Sequence, residues 1–253
     1  MKFRKLYTII LAAGKGTRMK SDIPKVLHKI DGKELVKYVI EQALEAGSDE
    51  IWLVTGHKGE MVIEATRDYS VKYVEQKEQL GTGHAVMQAD EQLNGKNGDV
   101  LILCGDVPLL RPDTLVGFKN AHYDSGSSAS VMTTDLNDPY GYGRIVKDKT
   151  GSIIRIVEQK DASEDEKKIK EINSGVYIID SQDLFSSLRH ISSDNASGEY
   201  YLTDVISIIK KNNKKVSTYK ISDATEISGI NTTEQLEYAE SIIRGRKLNG
   251  EIK

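Results

Sequence analysis

The sequence predicts an α/β fold in which a mixed, mostly parallel sheet is flanked by helices. Three observations point that way. Short β-branched runs alternate with amphipathic helical stretches through the first half, a pattern that favours parallel strands with helices on both faces. A hairpin pattern interrupts the alternation in the second half, so the sheet should be mixed. Of 253 residues, 38% are hydrophobic and 29% charged, which suits a globular core.

Taken in order, Tyr7-Thr8-Ile9-Ile10-Leu11 reads as the first buried strand. Residues 34–46 carry Leu35, Val36, Val39, Ile40, Ala43 and Leu44 on one helical face, and Gly47 stands where that helix should end. Strands follow at 50–55, 71–74 and 100–103. A helix at 83–93, with Ala85, Val86 and Ala89 on one side, separates the last two. Pro112 suits the first turn of a helix reaching Tyr123. Residues 129–134 read as a strand, 144–147 and 153–158 as a hairpin across Lys149-Thr150-Gly151, and 173–180 as a further strand. A polar loop at 192–197 precedes a helix at 201–210, a strand at 216–221 and a last amphipathic helix from Thr232 to Arg244. No Pro/Gly-rich linker divides the chain. It should therefore be a single domain over 1–253, with a first half near 1–125, a substrate-side lobe near 126–230 and a C-terminal helix near 232–247.

Composition excludes several functions. Lys plus Arg is 35 and Asp plus Glu is 38, so the formal net charge of -3 gives no basic face for nucleic acid. Lys210, Lys211, Lys214 and Lys215 read as a solvated helix end, and 164–170 as a solvated helical face. Cys104 is the single cysteine, so no internal disulfide can form and a reducing cytoplasm is the expected setting. The apolar run ending at Ala13 is too short to span a membrane. His28, His57, His84, His122 and His190 lack metal-ligand spacing and should have ordinary surface or packing roles.

In open α/β sheets ligands bind beyond the carboxyl ends of the strands, which directs attention to the loops after Leu11, Val74 and Leu103. Leu11-Ala12-Ala13-Gly14-Lys15-Gly16-Thr17-Arg18-Met19 follows the first strand directly. Small residues let backbone N–H groups approach phosphates, Arg18 supplies a planar cation and Pro24-Lys25 a second one. Gly16-Thr17-Arg18 lacks the Gly-Lys-Ser/Thr ending of a P-loop, and Met19 stands where the dinucleotide fingerprint needs a third glycine. Asp106, just past the fourth expected strand, fits either a metal ligand or a turn residue. Gln76 could read a base edge or face solvent. Asn231 by itself fits a helix start.

These segments together resemble the sugar-nucleotide pyrophosphorylases, and among them most the uridyltransferase domains of bacterial bifunctional N-acetylglucosamine-1-phosphate uridyltransferase/glucosamine-1-phosphate acetyltransferases. The likeness runs in order through 11–27, Gln79 to Ala85, Gly105-Asp106-Val107-Pro108-Leu109, Gly141-Tyr142-Gly143-Arg144, Ile156-Val157-Glu158, Glu171 to Gly175, Gly198 to Tyr201 with Thr203-Asp204, and Gly229-Ile230-Asn231. It implies a Rossmann-like fold of the nucleotide-diphospho-sugar transferase type, with a nucleotide-binding first half and a sugar-binding second lobe. It also implies that Leu11, Ala12, Ala13, Gly14, Lys25, Gln76, Gly81, Thr82, Cys104, Gly105 and Asp106 contact nucleotide or phosphates. Gly141, Glu158 and Asn173 would hold the sugar, Asp106 and Asn231 would bind Mg²⁺, and Arg18 and Lys25 would be catalytic. Glu199, Tyr200 and Tyr201 would support the sugar pocket or simply pack.

The activity so implied joins UTP to N-acetylglucosamine 1-phosphate, giving UDP-N-acetylglucosamine and pyrophosphate, in a cytoplasmic monomer or weak homo-oligomer. Competing readings are another base or hexose 1-phosphate, or a catalytically silent subunit of the same fold. The relatives continue into hexapeptide repeats that this sequence lacks, so acetyltransferase activity is not expected. Cys104 stands where some relatives have Tyr, which bears on sugar selectivity and not on reaction type.

Overall fold

The computed structural model describes residues 4–14, 16, 19 and 21–251. The chain opens with β1 (Lys5–Leu11), whose Leu6 and Ile10 enter one core while Tyr7 and Ile9 enter another across the sheet. That is the period-2 alternation of a strand covered on both faces. A short hairpin, β2 (Lys29–Ile30) with β3 (Lys33–Glu34), turns through Asp31 and Gly32, both at positive φ. α1 (Leu35–Glu45) follows and is closed by Gly47 at φ 83°. Its buried face is Leu35, Val36, Val39, Ile40 and Ala43 as expected, joined by Tyr38 and Gln42, whereas Leu44 is 45% exposed.

β4 (Glu50–Thr55), α2 (Gly59–Thr66) and β5 (Lys72–Glu75) come next. The sequence does not announce α2, because Met61 and Ile63 are 36% and 40% exposed and only Val62 marks an apolar face. The single helix expected at 83–93 is two, α3 (Thr82–Met87) and α4 (Asp90–Leu93). Gln88 and Ala89 N–H groups bond three residues back, which tightens the turn and ends α3. β6 (Gly98–Cys104) is buried along almost its whole length, and α5 (Pro112–Ser125) carries its proline in the first turn.

The second half holds β7 (Ala129–Asp135), the antiparallel pair β8 (Arg144–Lys147) and β9 (Ile153–Val157), and β10 (Glu171–Asp180). The unexpected α6 (Ser181–Leu188) starts on Asp180, whose side chain accepts from the Gln182 and Asp183 N–H groups. α7 (Asp204–Lys211), β11 (Val216–Lys220) and α8 (Thr233–Leu248) complete the chain. Thr232 and Gln235 form a capping box at the start of α8.

Among the described residues the main sheet runs β11-β7-β10-β6-β1-β4-β5, with β8 and β9 attached to β10. β4 and β6 flank β1 in parallel and β5 pairs in parallel with β4, while β10 runs antiparallel to β6 and β7. The fold is thus the mixed, mostly parallel, helix-flanked sheet that the sequence predicts. A third core of Ile30, Leu35, Tyr38, Leu109, Ile230, Ala239 and Ile243 docks α8 beside the turn that follows β6. No described helix is long and apolar enough to cross a membrane.

Candidate functional site

The carboxyl ends of β1, β4 and β6 lie side by side, and the loops leaving them remain tied together. Ala12 N–H donates to Val54 O and Gly105 N–H to Leu11 O, both at 2.9 Å. Ala12 and Ala13 are buried, and a Cβ on Gly56 would come within 2.9 Å of Ala13 Cβ. Gly14, by contrast, is exposed, with nothing within 4 Å of where a Cβ would point. Gly16, at φ 61°, brings the loop so close to Lys25 that a Cβ would lie 2.7 Å from that of the lysine. Arg18 lies outside the described residues.

Lys25 occupies a short 3₁₀ turn behind Pro24, anchored by buried Val26 and Leu27. Its ammonium donates to Asp106 Oδ2 and, at 3.1 Å, to Asn231 Oδ1. The Lys25 and Asp106 side chains are only 18% and 17% exposed, so the pair is screened less than a surface ion pair. Asp106 stands two residues past β6, and its carbonyl accepts from Ile230 N–H at 2.9 Å. Gly229 passes so close that a Cβ there would sit 3.4 Å from Asp106 Oδ2. Thr232, not Asn231, caps α8, so the Asn231 amide is spared for Lys25 and for Gly229 O. Three segments far apart in sequence thereby meet at one cation-holding point. Among the described residues no trio of His, Cys, Asp or Glu converges to hold a metal.

Gln76 does not face solvent. It is 4% exposed, and its Nε2 donates to Gly81 O at 3.1 Å while lying 3.0 Å from His84 Nδ1. No spacing in the sequence marks His84 as the residue that orders Gln76, since neither sits in a ligand-type pattern. Gly81, at φ 114°, packs against Glu199 and Tyr200, and the Tyr200 carbonyl would lie 2.6 Å from an added Cβ. Gly83 N–H donates to that carbonyl, Tyr200 N–H returns a bond to Leu80 O, and Leu202 N–H reaches the hydroxyl of exposed Thr82. The 199–201 segment therefore braces the Gly81 turn. Gly81→Ala should destabilise the fold by about 1–3 kcal/mol through strain and clash, measured as a lower urea midpoint at constant m-value.

The third corner gathers around β9 and β10. Glu158 Oε1 accepts from Thr203 Oγ1 at 3.0 Å, and Asn173 Nδ2 donates to Tyr177 OH at 2.6 Å. A Cβ on Gly143 would lie 3.5 Å from both Asn173 Cβ and Glu158 Oε1, which places these groups around one backbone. Burial raises the Glu158 carboxyl above its ordinary range, partly opposed by Thr203 and reinforced by Asp204, Asp161 and Glu199. Gly141 is exposed, its N–H donating to Gln159 Oε1 at 3.1 Å, and the same oxygen takes Arg144 Nη2 at 2.6 Å. Arg144, 1% exposed and also bonded to Tyr142 O, so fixes this loop from below.

Cys104 links the corners. Its thiol lies 3.9 Å from Gly175 O, in the β10 bulge, and burial with the nearby Asp106 charge pushes it up to about 12, so it stays a neutral thiol. A separate polar cluster at the opposite strand ends joins Arg4 to Asp99, which lies 3.6 Å from His122 Nε2. Asp99 and Cys104 are five strand residues apart, about 17 Å, so this cluster has no part in the site.

Residues 8–201 match the family model described as the MobA-like NTP transferase domain. Similar proteins include the Bifunctional protein GlmU of Caldanaerobacter subterraneus subsp. tengcongensis, 50% identical over 241 residues, and that of Streptococcus pyogenes serotype M6, 47% identical over 240. Each alignment covers 95% of this chain but 52% of the relative, so the chain spans about half the length of the curated relatives it matches. A crystal structure of UDP-glucose pyrophosphorylase complexed with UDP-glucose superposes with a TM-score of 0.74 at 20% identity, covering 96% of this chain and 99% of the other.

Proposed function

Since this chain belongs to the family of MobA-like NTP transferase domains, we propose that it transfers the uridylyl group of UTP to N-acetylglucosamine 1-phosphate, releasing pyrophosphate. The observation that carries the reading is the meeting of Lys25, Asp106 and Asn231 at the end of β6, one thiol away from the Glu158 and Asn173 corner. The half-length match to bifunctional GlmU proteins supports the same choice of substrates.

A sugar 1-phosphate oxygen attacks the α-phosphorus of UTP in line. The bond to the β-phosphate oxygen breaks, and pyrophosphate leaves with the electron pair. A phosphate monoester is already an anionic nucleophile, so no general base is needed. The obstacle is repulsion between two polyanions, and neutralisation in a cleft is the remedy. At 4 Å two unit charges interact by about 4 kcal/mol near a protein surface but about 1 in water. Lys25 supplies such a charge, Arg18 is proposed as its companion at the triphosphate, and Ala12, Ala13 and Gly14 with Gly105 supply a small-residue floor beside Leu11. Gln76 and the Gly81-Thr82 turn bind the uracil edge.

The residues fit a divalent cation, because Asp106 Oδ2 and Asn231 Oδ1 already share one positive charge, the Lys25 ammonium. Two protein oxygens plus substrate phosphates and waters are a usual Mg²⁺ environment. The ion would neutralise the triphosphate when bound.

Glu158 would accept from sugar hydroxyls as a carboxylate, with Asn173 and the Gly141 backbone completing the pocket. Because burial raises its pKa, acidification should increase KM for the sugar 1-phosphate at a pH above the ordinary glutamate range. Glu158→Gln should lose that dependence and raise KM about tenfold at neutral pH, the cost of about one charged hydrogen bond. The central experiment is pyrophosphate release from UTP and N-acetylglucosamine 1-phosphate, with and without Mg²⁺, beside other triphosphates and hexose 1-phosphates. Turnover of another pair in preference would transfer the assignment to that pair. Absence of any turnover would point to a silent subunit.

A further inference from the structure

We infer that Gln42 and Arg246 are positioning residues that hold Asp106 in place from behind, an inference that rests on the proposed role of Asp106 in cation binding. Past Cys104 the chain leaves the strand ladder, yet residues 107–110 remain buried, with Val107 6%, Leu109 0% and Leu110 2% exposed. Buried carbonyls there need other donors. Gln42 Nε2, from α1, donates to Pro108 O at 2.7 Å, and Arg246 Nη1, from α8, donates to Leu109 O at 2.6 Å. Glu226 completes the brace by accepting Arg111 N–H at 2.9 Å. These three side chains are 6%, 7% and 5% exposed.

Packing alone does not account for Arg246. Among the described residues its Nε and Nη2 have no partner, and burying such donors costs more than filling the same space with a hydrocarbon. Glu226, Asp223 and Glu251 offset its charge, while Arg111 opposes it. What the guanidinium provides, and a hydrocarbon would not, is a charged donor aimed at a particular carbonyl. α8 gives that donor leverage. Asn231 lies just ahead of its cap and Arg246 near its far end, roughly 22 Å away along a helix. One rigid element thus presents Asn231 Oδ1 and grips the turn that presents Asp106 Oδ2. The pair separation depends on both ends.

The test uses Mn²⁺ as a spin probe, titrated into the protein with UTP and followed by electron paramagnetic resonance. Arg246→Met and Gln42→Met keep volume but remove the donors, and each should weaken Mn²⁺ binding about tenfold, the loss usual for groups that orient a ligand. Arg246→Lys, which can still donate to Leu109 O, should recover most of it. A lower melting temperature with Mn²⁺ affinity within about twofold of the parent in both Met variants would overturn the positioning role and leave packing. Asp106→Asn is the reference. If it binds Mn²⁺ as the parent does, the cation assignment itself fails, and this inference with it. If Asp106→Asn loses the ion while the Met variants keep it, only the brace is refuted. Should Arg246→Met not fold, Gln42→Met and Arg246→Lys still decide.

Discussion

Asp106→Ala should lower turnover of UTP and N-acetylglucosamine 1-phosphate by about 100-fold or more, close to 3 kcal/mol of transition-state stabilisation. The effect should reach that size because the carboxylate does two things at once. It holds the Lys25 ammonium in a half-buried crevice, and it would be the charged ligand of the divalent ion. Removing it leaves Asn231 as a neutral oxygen facing the same point. The fold should survive, because the Ile230 contact is made by the Asp106 carbonyl and the following turn is tied by Gln42 and Arg246. The check is steady-state pyrophosphate release over a Mg²⁺ series together with far-ultraviolet circular dichroism. Undiminished release from a folded variant would remove Asp106 from the mechanism.

Lys25→Met should be of comparable size, about 100-fold, but should fall mainly on kcat. The ammonium is positioned by two oxygens that substrate phosphates could replace, so its charge is free to follow the developing negative charge. Methionine keeps the hydrocarbon stem against Gly16 and loses only the charge. Lys25→Arg should recover little, since the fork of a guanidinium cannot occupy the point that a compact ammonium shares with Asp106 and Asn231. Separate kcat and KM values for both substrates would decide. A loss confined to KM would make Lys25 a binding group only.

Legibility in the sequence followed local physics. β1, β4 and β6 were readable because β-branched apolar runs buried on both faces leave a continuous signal. α2 was not, since its apolar residues point both ways, and α6 was hidden because its start depends on the Asp180 cap. The break between α3 and α4 likewise has no Gly or Pro to mark it. In the site, the glycine-rich loop with Lys25 was legible as a motif and Glu158, Asn173 and Asn231 only through the family resemblance, while their partners were not legible at all. Nothing local says that His84 meets Gln76, or that Thr232 takes the cap and spares Asn231.

The sequence alone therefore determined the fold class and the order along the chain of the strands in its main sheet, which rest on periodicity and turn chemistry, and through its family resemblance the residue types on which the chemistry would turn. Only the tertiary structure decided that Lys25, Asp106 and Asn231 converge, that Cys104 meets the β10 bulge, and that α1 and α8 brace the turn after β6. Those contacts join residues separated by 66 to 206 positions. Their formation depends on how the sheet and its flanking helices bring distant loops to one edge, and no short-range pattern encodes that.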